Sequence, residues 1–282
     1  MEIKGLLSAL DFEEVGTGSY RARNMPNGHG VVFGGQLLAQ SLVAAARQQP
    51  EKRVKTVQTV FARSASFQHD LDVDVEVMHG GRAFGSVMVT IRQGDRLCTR
   101  ALVLLSAEEP DLIRHAEPLG GVADPDDAAG EVQSVGDWQI RSVSGLDVSD
   151  PSVVAPPQWD VWSRFPDAPD DPLIAQALLA YASDGFLIGA AMLPHEGVGQ
   201  SQAHVSLSTG VVSHTLTFHD PLDARAWHLL EQRSTFAGGG RVYGRGDVYT
   251  TDGGLVASFV QDAMIRPLSG GAAWAASGQP VL

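Results

Sequence analysis

Strand-like segments with alternating apolar and polar residues run through both halves of this chain, and they predict antiparallel strands with one face in a core. The alternation is clearest after Leu71, where an acidic residue separates Val73 from Val75 and Val75 from Val77. The predicted strands, in chain order, are 54–62, 71–79, 83–92, 97–106, 203–219, 225–236, 240–250 and 255–266.

Two segments, 36–46 and 173–183, are almost free of charged residues and favour helix. A helix that is apolar all round belongs in a core. Asp171 and Pro172 predict the N-cap and first position of the second helix, because proline is tolerated where the backbone N–H needs no helical partner. A short amphipathic helix is predicted at 3–13.

The same unit occurs twice along the chain. Gly81–Gly85 and Gly240–Gly244 open similar hairpins, and each hairpin follows one of the apolar helices. Repeats of this size indicate two copies of one supersecondary unit. Each copy is expected to curl an antiparallel sheet around its helix, and the two sheets can join edge to edge, which removes exposed edges.

These patterns divide the chain into four parts. Residues 1–107 form the first unit and 158–268 the second. Residues 108–157 are rich in Asp, Glu, Pro and Gly and are interpreted as a connector, with a short strand near 138–143. Residues 269–282, rich in Gly, Ala and Ser, are interpreted as a flexible tail.

The two copies differ in their polar residues. The second helix ends in Ser183 and Asp184, and the second hairpin has Gln261 where the first has Val103. Asp184 near a helix C-terminus opposes the helix dipole, so it is either functional or a turn residue bonded to a loop amide. Gln261 among apolar neighbours needs a hydrogen-bond partner, either in a site or in the backbone. The asymmetry predicts one potential site per chain.

Composition narrows the function classes. The formal net charge of −13 argues against general nucleic-acid binding, although arginines can still hold one anionic ligand locally. Cys98 is the single cysteine, so no intrachain disulfide forms, and the histidines lack metal-ligand spacing. We therefore expect no metal or cofactor. The start of the chain does not resemble a signal peptide, and 173–183 is too short to span a membrane, which predicts a cytoplasmic protein.

Several runs, taken together and in order, resemble the acyl-CoA thioesterase II (TesB-like) family. The matching runs are His29–Gln36, Tyr181–Asp184, Pro194–His195, His214 with Phe218–His219, and Gly254–Gln261. The resemblance implies an α+β double hotdog fold, in which two tandem hotdog units each wrap an antiparallel sheet around a central helix. Hotdog units commonly pair, so a homo-oligomer, dimer or tetramer, is expected.

The resemblance also implies a reaction, in which an activated water hydrolyses an acyl-CoA thioester to a free acid and CoA. Asp184 and Gln261 match two of the three groups that hold the water in the family. The third is a hydroxyl, and Val211 occupies its aligned position. The candidates to replace that hydroxyl are Ser208, Thr209 and Ser213.

Substrate binding is expected at the start of the first helix and at an arginine. Gly34 and Gly35 let a ligand approach the backbone there. Gln36 follows them, although it can equally form a helix-to-sheet hydrogen bond with the rest of the fold. Arg63 is a candidate for the CoA phosphates, and the other candidates are Arg82, Arg233, Arg241 and Arg245.

Two alternatives to hydrolysis remain open from the sequence. Val211 in place of the hydroxyl suggests a non-catalytic acyl-CoA or acyl-group binding protein on the same fold. A hotdog dehydratase is the weaker alternative, because it needs an Asp–His pair that the sequence alone does not place.

Overall fold

The computed structural model describes residues 3–25 and 30–268, so the predicted tail at 269–282 and His29 lie outside the described residues. Both predicted apolar helices are present. The helices are α1 (Ile3–Leu10), α2 (Gly34–Ala46), α3 (Pro172–Ser183) and α4 (Leu187–Met192), with a short 3₁₀ turn at Gln200–Gln202.

The described residues form one sheet of 13 strands. In chain order they are β1 (Glu13–Gly16), β2 (Ser19–Ala22), β3 (Arg53–Phe61), β4 (Leu71–Gly80), β5 (Phe84–Gln93), β6 (Arg96–Ser106), β7 (Val132–Val135), β8 (Trp138–Ser142), β9 (Val161–Arg164), β10 (Leu207–Phe218), β11 (His228–Gly238), β12 (Arg241–Thr250) and β13 (Leu255–Pro267). All eight main strands predicted from alternation are present, with ends that differ by a few residues.

The two repeats meet at the centre of this sheet. The spatial order is β1-β2-β4-β5-β6-β3-β10-β13-β12-β11-β9-β8-β7, so β3 of the first repeat pairs with β10 of the second. Their antiparallel register runs from Ser213 opposite Val60 to Thr217 opposite Thr56. Neither repeat therefore has an exposed edge at the junction.

The inner face of the sheet carries both apolar helices. All but the first residue of α2 are buried, as expected for a helix without a polar face. The helices α2 and α3 pack against each other, and the rings of Phe33 and Tyr181 meet edge to face with centroids 4.9 Å apart. The two helices and the surrounding strands share one continuous core.

The segment interpreted as a connector contains more structure than one short strand. β7 and β8 form an antiparallel hairpin, and β8 pairs with β9, which extends the second repeat's side of the sheet. The strand near 138–143 is present as β8. β7 was missed because four exposed or half-exposed residues show no apolar alternation.

One stretch, Pro172–Met192, is long and apolar enough by composition to be considered as a membrane span. It consists of α3 and α4, which residues 184–186 separate from each other. Because 72% of its most apolar window is buried inside the protein, the stretch has the character of a core helix pair.

Candidate active site

Two helix ends of opposite polarity meet on the inner face of the sheet. Asp184 is the C-cap of α3, and Gly34 and Gly35 form the first turn of α2. A β-carbon added to Gly34 would lie 2.6 Å from Asp184 Oδ2, and one added to Gly35 would lie 2.3 Å from the Tyr181 carbonyl oxygen. The two glycines thus admit the end of the neighbouring helix to the backbone of α2.

The Asp184 carboxyl group is buried, with 7% of the residue exposed. Burial raises its pKa to about 8, while hydrogen bonds from the Gly35 backbone N–H and from Gln261 oppose that rise. The positive end of the α2 dipole also favours the carboxylate, whereas the negative end of α3 disfavours it. The group is therefore a carboxyl that changes protonation near neutral pH.

Gln261 and His214 complete a hydrogen-bonded row with Asp184. His214 on β10 lies directly opposite Gln261 on β13. The Gln261 amide nitrogen donates to Asp184 Oδ1 and to His214 Nδ1, both at 3.2 Å. The other ring nitrogen, Nε2, lies 3.1 Å from Ser183 Oγ, which itself donates to the Ala180 carbonyl oxygen.

This network fixes the state of the histidine. Because the Ser183 proton goes to Ala180, Nε2 of His214 donates to Ser183, and Nδ1 accepts from Gln261. Burial lowers the pKa of His214 to about 3, so the ring is neutral. Its Nδ1 lies 3.9 Å from Asp184 Oδ1, but a neutral ring makes no ion pair there. His214 orients Gln261 and is not an acid–base partner of Asp184.

The network uses both amide hydrogens of Gln261 and leaves its carbonyl oxygen unpaired. Gln261 Oε1 is buried and has no hydrogen-bond partner among the described residues. A buried acceptor without a donor is costly, so it fits a role in binding a donor such as water. Asp184 and Gln261 were predicted as a pair, and the structure brings them together.

The three candidate hydroxyls do not reach this pair. Ser208 and Ser213 lie opposite Arg266 and Asp262 on β13, the residues that alternate with its buried positions and face the outer side. Thr209 is on the inner face but opposite Ile265, four residues from Gln261 and so about 13 Å along the strand.

Val211, the residue aligned with the family hydroxyl, lies on β10. It is opposite Ala263 on the inner face, next to Gln261, and a β-bulge between Val211 and Ser213 separates it from His214. Its side chain packs in an apolar cluster with Ala191, Val242 and Ala263. The position nearest to the Gln261 row is therefore apolar in this chain.

The other predicted substrate-binding residues have different surroundings. Gln36 is buried, its oxygen accepts from the Met25 N–H, and its nitrogen donates to Asn24 and Gln40, so it ties the preceding loop to α2. Arg63 is exposed in the loop after β3, and no described residue forms an ion pair with it. The ring of Phe61, at the end of β3, lies 3.3 Å from a β-carbon added to Gly34, and Arg63 follows two residues later in the chain.

Among the described residues of the first repeat, valines occupy the positions equivalent to His214 and Gln261. Val57 on β3 lies opposite Val103 on β6, as His214 lies opposite Gln261, and both valines are buried. The sequence interpretation recognised Val103 as the counterpart of Gln261 but did not place His214 beside it. The pairing of His214 with Gln261 follows from the strand register and is not visible in the sequence, because the two residues are distant along the chain.

Comparisons with known proteins cover nearly the whole chain. The acyl-CoA thioesterase N-terminal domain matches residues 21–106, and the acyl-CoA thioesterase C-terminal domain matches residues 114–265. The second match begins inside the predicted connector, whose limits stay a prediction.

Relatives and solved structures agree with these matches. The chain is 28% identical to acyl-CoA thioesterase 2 of Haemophilus influenzae, over 94% of this chain and 98% of the relative. It is similar to the structure of acyl-CoA thioesterase II TesB2 from Mycobacterium marinum, with 29% identity, a TM-score of 0.78, and coverage of 94% and 98% of the two chains. A tesB protein of Mycobacterium avium subspecies paratuberculosis, 23% identical, gives a TM-score of 0.80 over 94% of this chain and 100% of the other. The predicted double hotdog fold is confirmed.

Proposed function

Because the chain belongs to the acyl-CoA thioesterase family, we propose that it hydrolyses acyl-CoA thioesters to a free acid and CoA at Asp184 and Gln261. The observation that carries the assignment of residues is the buried Asp184 carboxyl group beside an amide whose oxygen lacks a partner. A base with a pKa near the working pH combines a useful deprotonated fraction with a driving force for proton transfer.

The reaction follows from this arrangement. A water molecule donates one hydrogen bond to Gln261 Oε1 and the other to the Asp184 carboxylate, which takes its proton as the oxygen attacks the thioester carbon. The tetrahedral intermediate then breaks its carbon–sulfur bond, and the thiolate of CoA recovers the proton from Asp184. His214 keeps the amide of Gln261 in the required orientation.

The substrate approaches at the junction of the two repeats. The first turn of α2 presents the glycine backbone next to Asp184, and Arg63 supplies a positive charge for the CoA phosphates near that end. The absence of an ion-pair partner for Arg63 among the described residues supports this assignment. Gln36 contributes indirectly, by holding the loop that precedes α2.

One assay distinguishes hydrolysis from binding without turnover. The protein is offered a panel of acyl-CoA thioesters with a thiol-reactive dye, and hydrolysis appears as a steady release of CoA. Saturable binding with no release of CoA would identify the chain as an acyl-CoA binding protein instead. The dehydratase alternative is disfavoured, because both ring nitrogens of His214 are hydrogen-bonded within the protein, to Gln261 and to Ser183, and neither faces a substrate.

Val211 limits the rate in this proposal. Val211→Thr is nearly isosteric and adds a hydroxyl next to the Gln261 row, so we expect kcat to rise about tenfold from one more group that orients the water. Val242→Thr is the matched control, since Val242 flanks Ala263 from the other side and belongs to the same cluster. Equal rates for the two variants would show that the missing hydroxyl is not limiting.

We also propose a cytoplasmic homo-oligomer that acts in fatty acid metabolism. Apolar side chains are exposed on the outer face of the central strands, at Val60, Leu102, Leu104 and Val260. Exposed apolar residues grouped in this way are more typical of an interface than of a solvated sheet. Light scattering is expected to give the mass of two or four chains. Leu102→Lys with Val260→Lys should then dissociate the assembly, and a monomeric wild-type protein would contradict the proposal.

A further inference from the structure

Gln232 is a buried amide that the fold does not use. It lies on β11 and is 1% exposed, and neither its side-chain nitrogen nor its oxygen has a hydrogen-bond partner among the described residues. Most buried polar side chains are paired, because an unpaired one loses its hydrogen bonds to water without compensation. An amide with both ends unpaired therefore points to a polar group that is bound there.

The Gln232 side chain faces the same side of the sheet as the Asp184 site. A β-carbon added to Gly246, the residue opposite Gln232, would lie 3.1 Å from Gln232 Cβ and 2.4 Å from the Phe259 ring. Phe259 in turn stacks on the His214 ring, with centroids 5.4 Å apart and an interplanar angle of 11°. Gln232, Phe259 and His214 thus occupy one inner surface.

Glycines replace side chains between Gln232 and the site. Gly244 lies opposite Gln261, and Gly246 lies opposite Gln232, so β12 contributes no side chain to the inner face between the two glutamines. We call these two glycines the glycine trough. By strand spacing and rise, the trough joins the two glutamines over roughly 12 Å.

Two buried apolar side chains cover the glycine trough. A β-carbon on Gly244 would lie 2.7 Å from Leu187 Cδ1, and the Phe259 ring covers Gly246. Leu187 belongs to α4, a helix of six residues between α3 and β10. A ligand in the trough would replace apolar contacts with Leu187 and Phe259 and would end at the amide of Gln232.

We propose that the glycine trough holds the acyl chain and that Gln232 selects acyl chains with a hydroxyl group. The inference rests on the proposed function, which places the thioester at Asp184 and Gln261. A single hydroxyl accepts from the amide nitrogen and donates to the amide oxygen, so it pairs both ends. A ketone only accepts a hydrogen bond, and a methylene neither accepts nor donates one. The expected order of preference is therefore hydroxyacyl, then ketoacyl, then saturated acyl.

The test compares three CoA thioesters of one chain length: saturated, mid-chain hydroxylated and mid-chain oxidised to a ketone. For the wild-type chain we expect kcat/KM for the best hydroxyacyl isomer to exceed that for the saturated thioester at least tenfold, with the ketone between them. Gln232→Met should reduce this ratio to about one. Leu230→Met, at a buried position two residues earlier on the same strand, should leave it unchanged.

Binding separates this inference from the proposed function. If no thioester releases CoA, the proposed hydrolysis fails, but calorimetry with the same three ligands still measures the preference of Gln232. A wild-type protein that hydrolyses or binds all three equally overturns the role of Gln232 and leaves hydrolysis intact. The role of Gln232 is also overturned if Gln232→Met keeps the wild-type ratio of hydroxyacyl to saturated kcat/KM, because the amide would then bind only a structural water. The ranking by the wild-type chain needs no variant, so poor folding of Gln232→Met does not remove the test.

Discussion

Asp184→Asn is expected to lower kcat/KM about a thousandfold while increasing the stability of the fold at pH 8. The loss follows because asparagine cannot take a proton from the water, and positioned general bases contribute roughly 10²–10⁴-fold. The gain follows because burial raises the pKa of the Asp184 carboxyl to about 8, so its charge opposes folding. If Asp184 were only structural, its replacement would instead lower activity and stability together.

The sign of the stability effect depends on pH in a defined way. A folded-state pKa above the unfolded value means that the folded chain binds the proton more tightly. Its contribution to stability is complete below the unfolded pKa, near 4, and is lost as pH rises to about 8. The free energy of unfolding of Asp184→Asn, relative to the wild type, should therefore increase between pH 4 and 8. We expect the gain to be limited to about 2 kcal/mol, because the new amide hydrogens of asparagine face the N–H donors of Gly35 and Gln261.

The pH dependence of activity should report the ionisation of the same carboxyl group. Because the carboxylate is the base, kcat/KM of the wild-type chain should rise about tenfold per pH unit below pH 8 and level off above it. Urea unfolding and CoA release across pH 5–9 measure both effects. Asp160→Asn is the control, because burial also raises the pKa of Asp160 outside the site. An Asp184→Asn variant with wild-type turnover would remove Asp184 from the mechanism.

Gly35→Ala is expected to lower the free energy of unfolding by about 3 kcal/mol. Alanine in a helix is favoured over glycine by roughly 1 kcal/mol, which alone would stabilise α2. The added carbon would however lie 2.3 Å from the Tyr181 carbonyl oxygen and 2.6 Å from the Phe33 ring, so α2 and α3 must separate. Overpacking of that kind exceeds the propensity gain because a backbone atom cannot rotate away.

A glycine in open surroundings provides the comparison. Gly80, at the end of β4, has no atom within 4 Å of an added β-carbon, so Gly80→Ala should change stability little. Urea titration of both variants measures the difference. If Gly35→Ala unfolds at the same urea concentration as Gly80→Ala, the contact between the helices is looser than described.

The strands and helices of both repeats could be predicted from the sequence because their signals are local. Residues 71–79 alternate, and α3 has Asp171 to bond its first free N–H groups. β1, β2 and β9 were not predicted, because four-residue strands rely on partners distant in sequence. The short helix α4 was not predicted either, because it is held by its packing on β11, which is distant in sequence.

The candidate site could be predicted only in part. Asp184 and Gln261 stand out as polar residues in apolar surroundings, which a sequence displays directly. The role of His214 depends on its register opposite Gln261, and Gln232 is unusual because no described residue forms a hydrogen bond with its side chain. Hydrogen-bond partners come from tertiary packing, so neither residue could be ranked from sequence.

The junction of the repeats has a consequence for how the chain tolerates change. The base that we propose, Asp184, lies in the second repeat, but the backbone N–H that bonds this carboxyl group comes from Gly35 in the first. The first repeat is therefore not free to diverge if the proposed site is correct, since it forms one wall of that site. Inactivating substitutions should occur in both halves of the gene, and neither half expressed alone would retain a complete site.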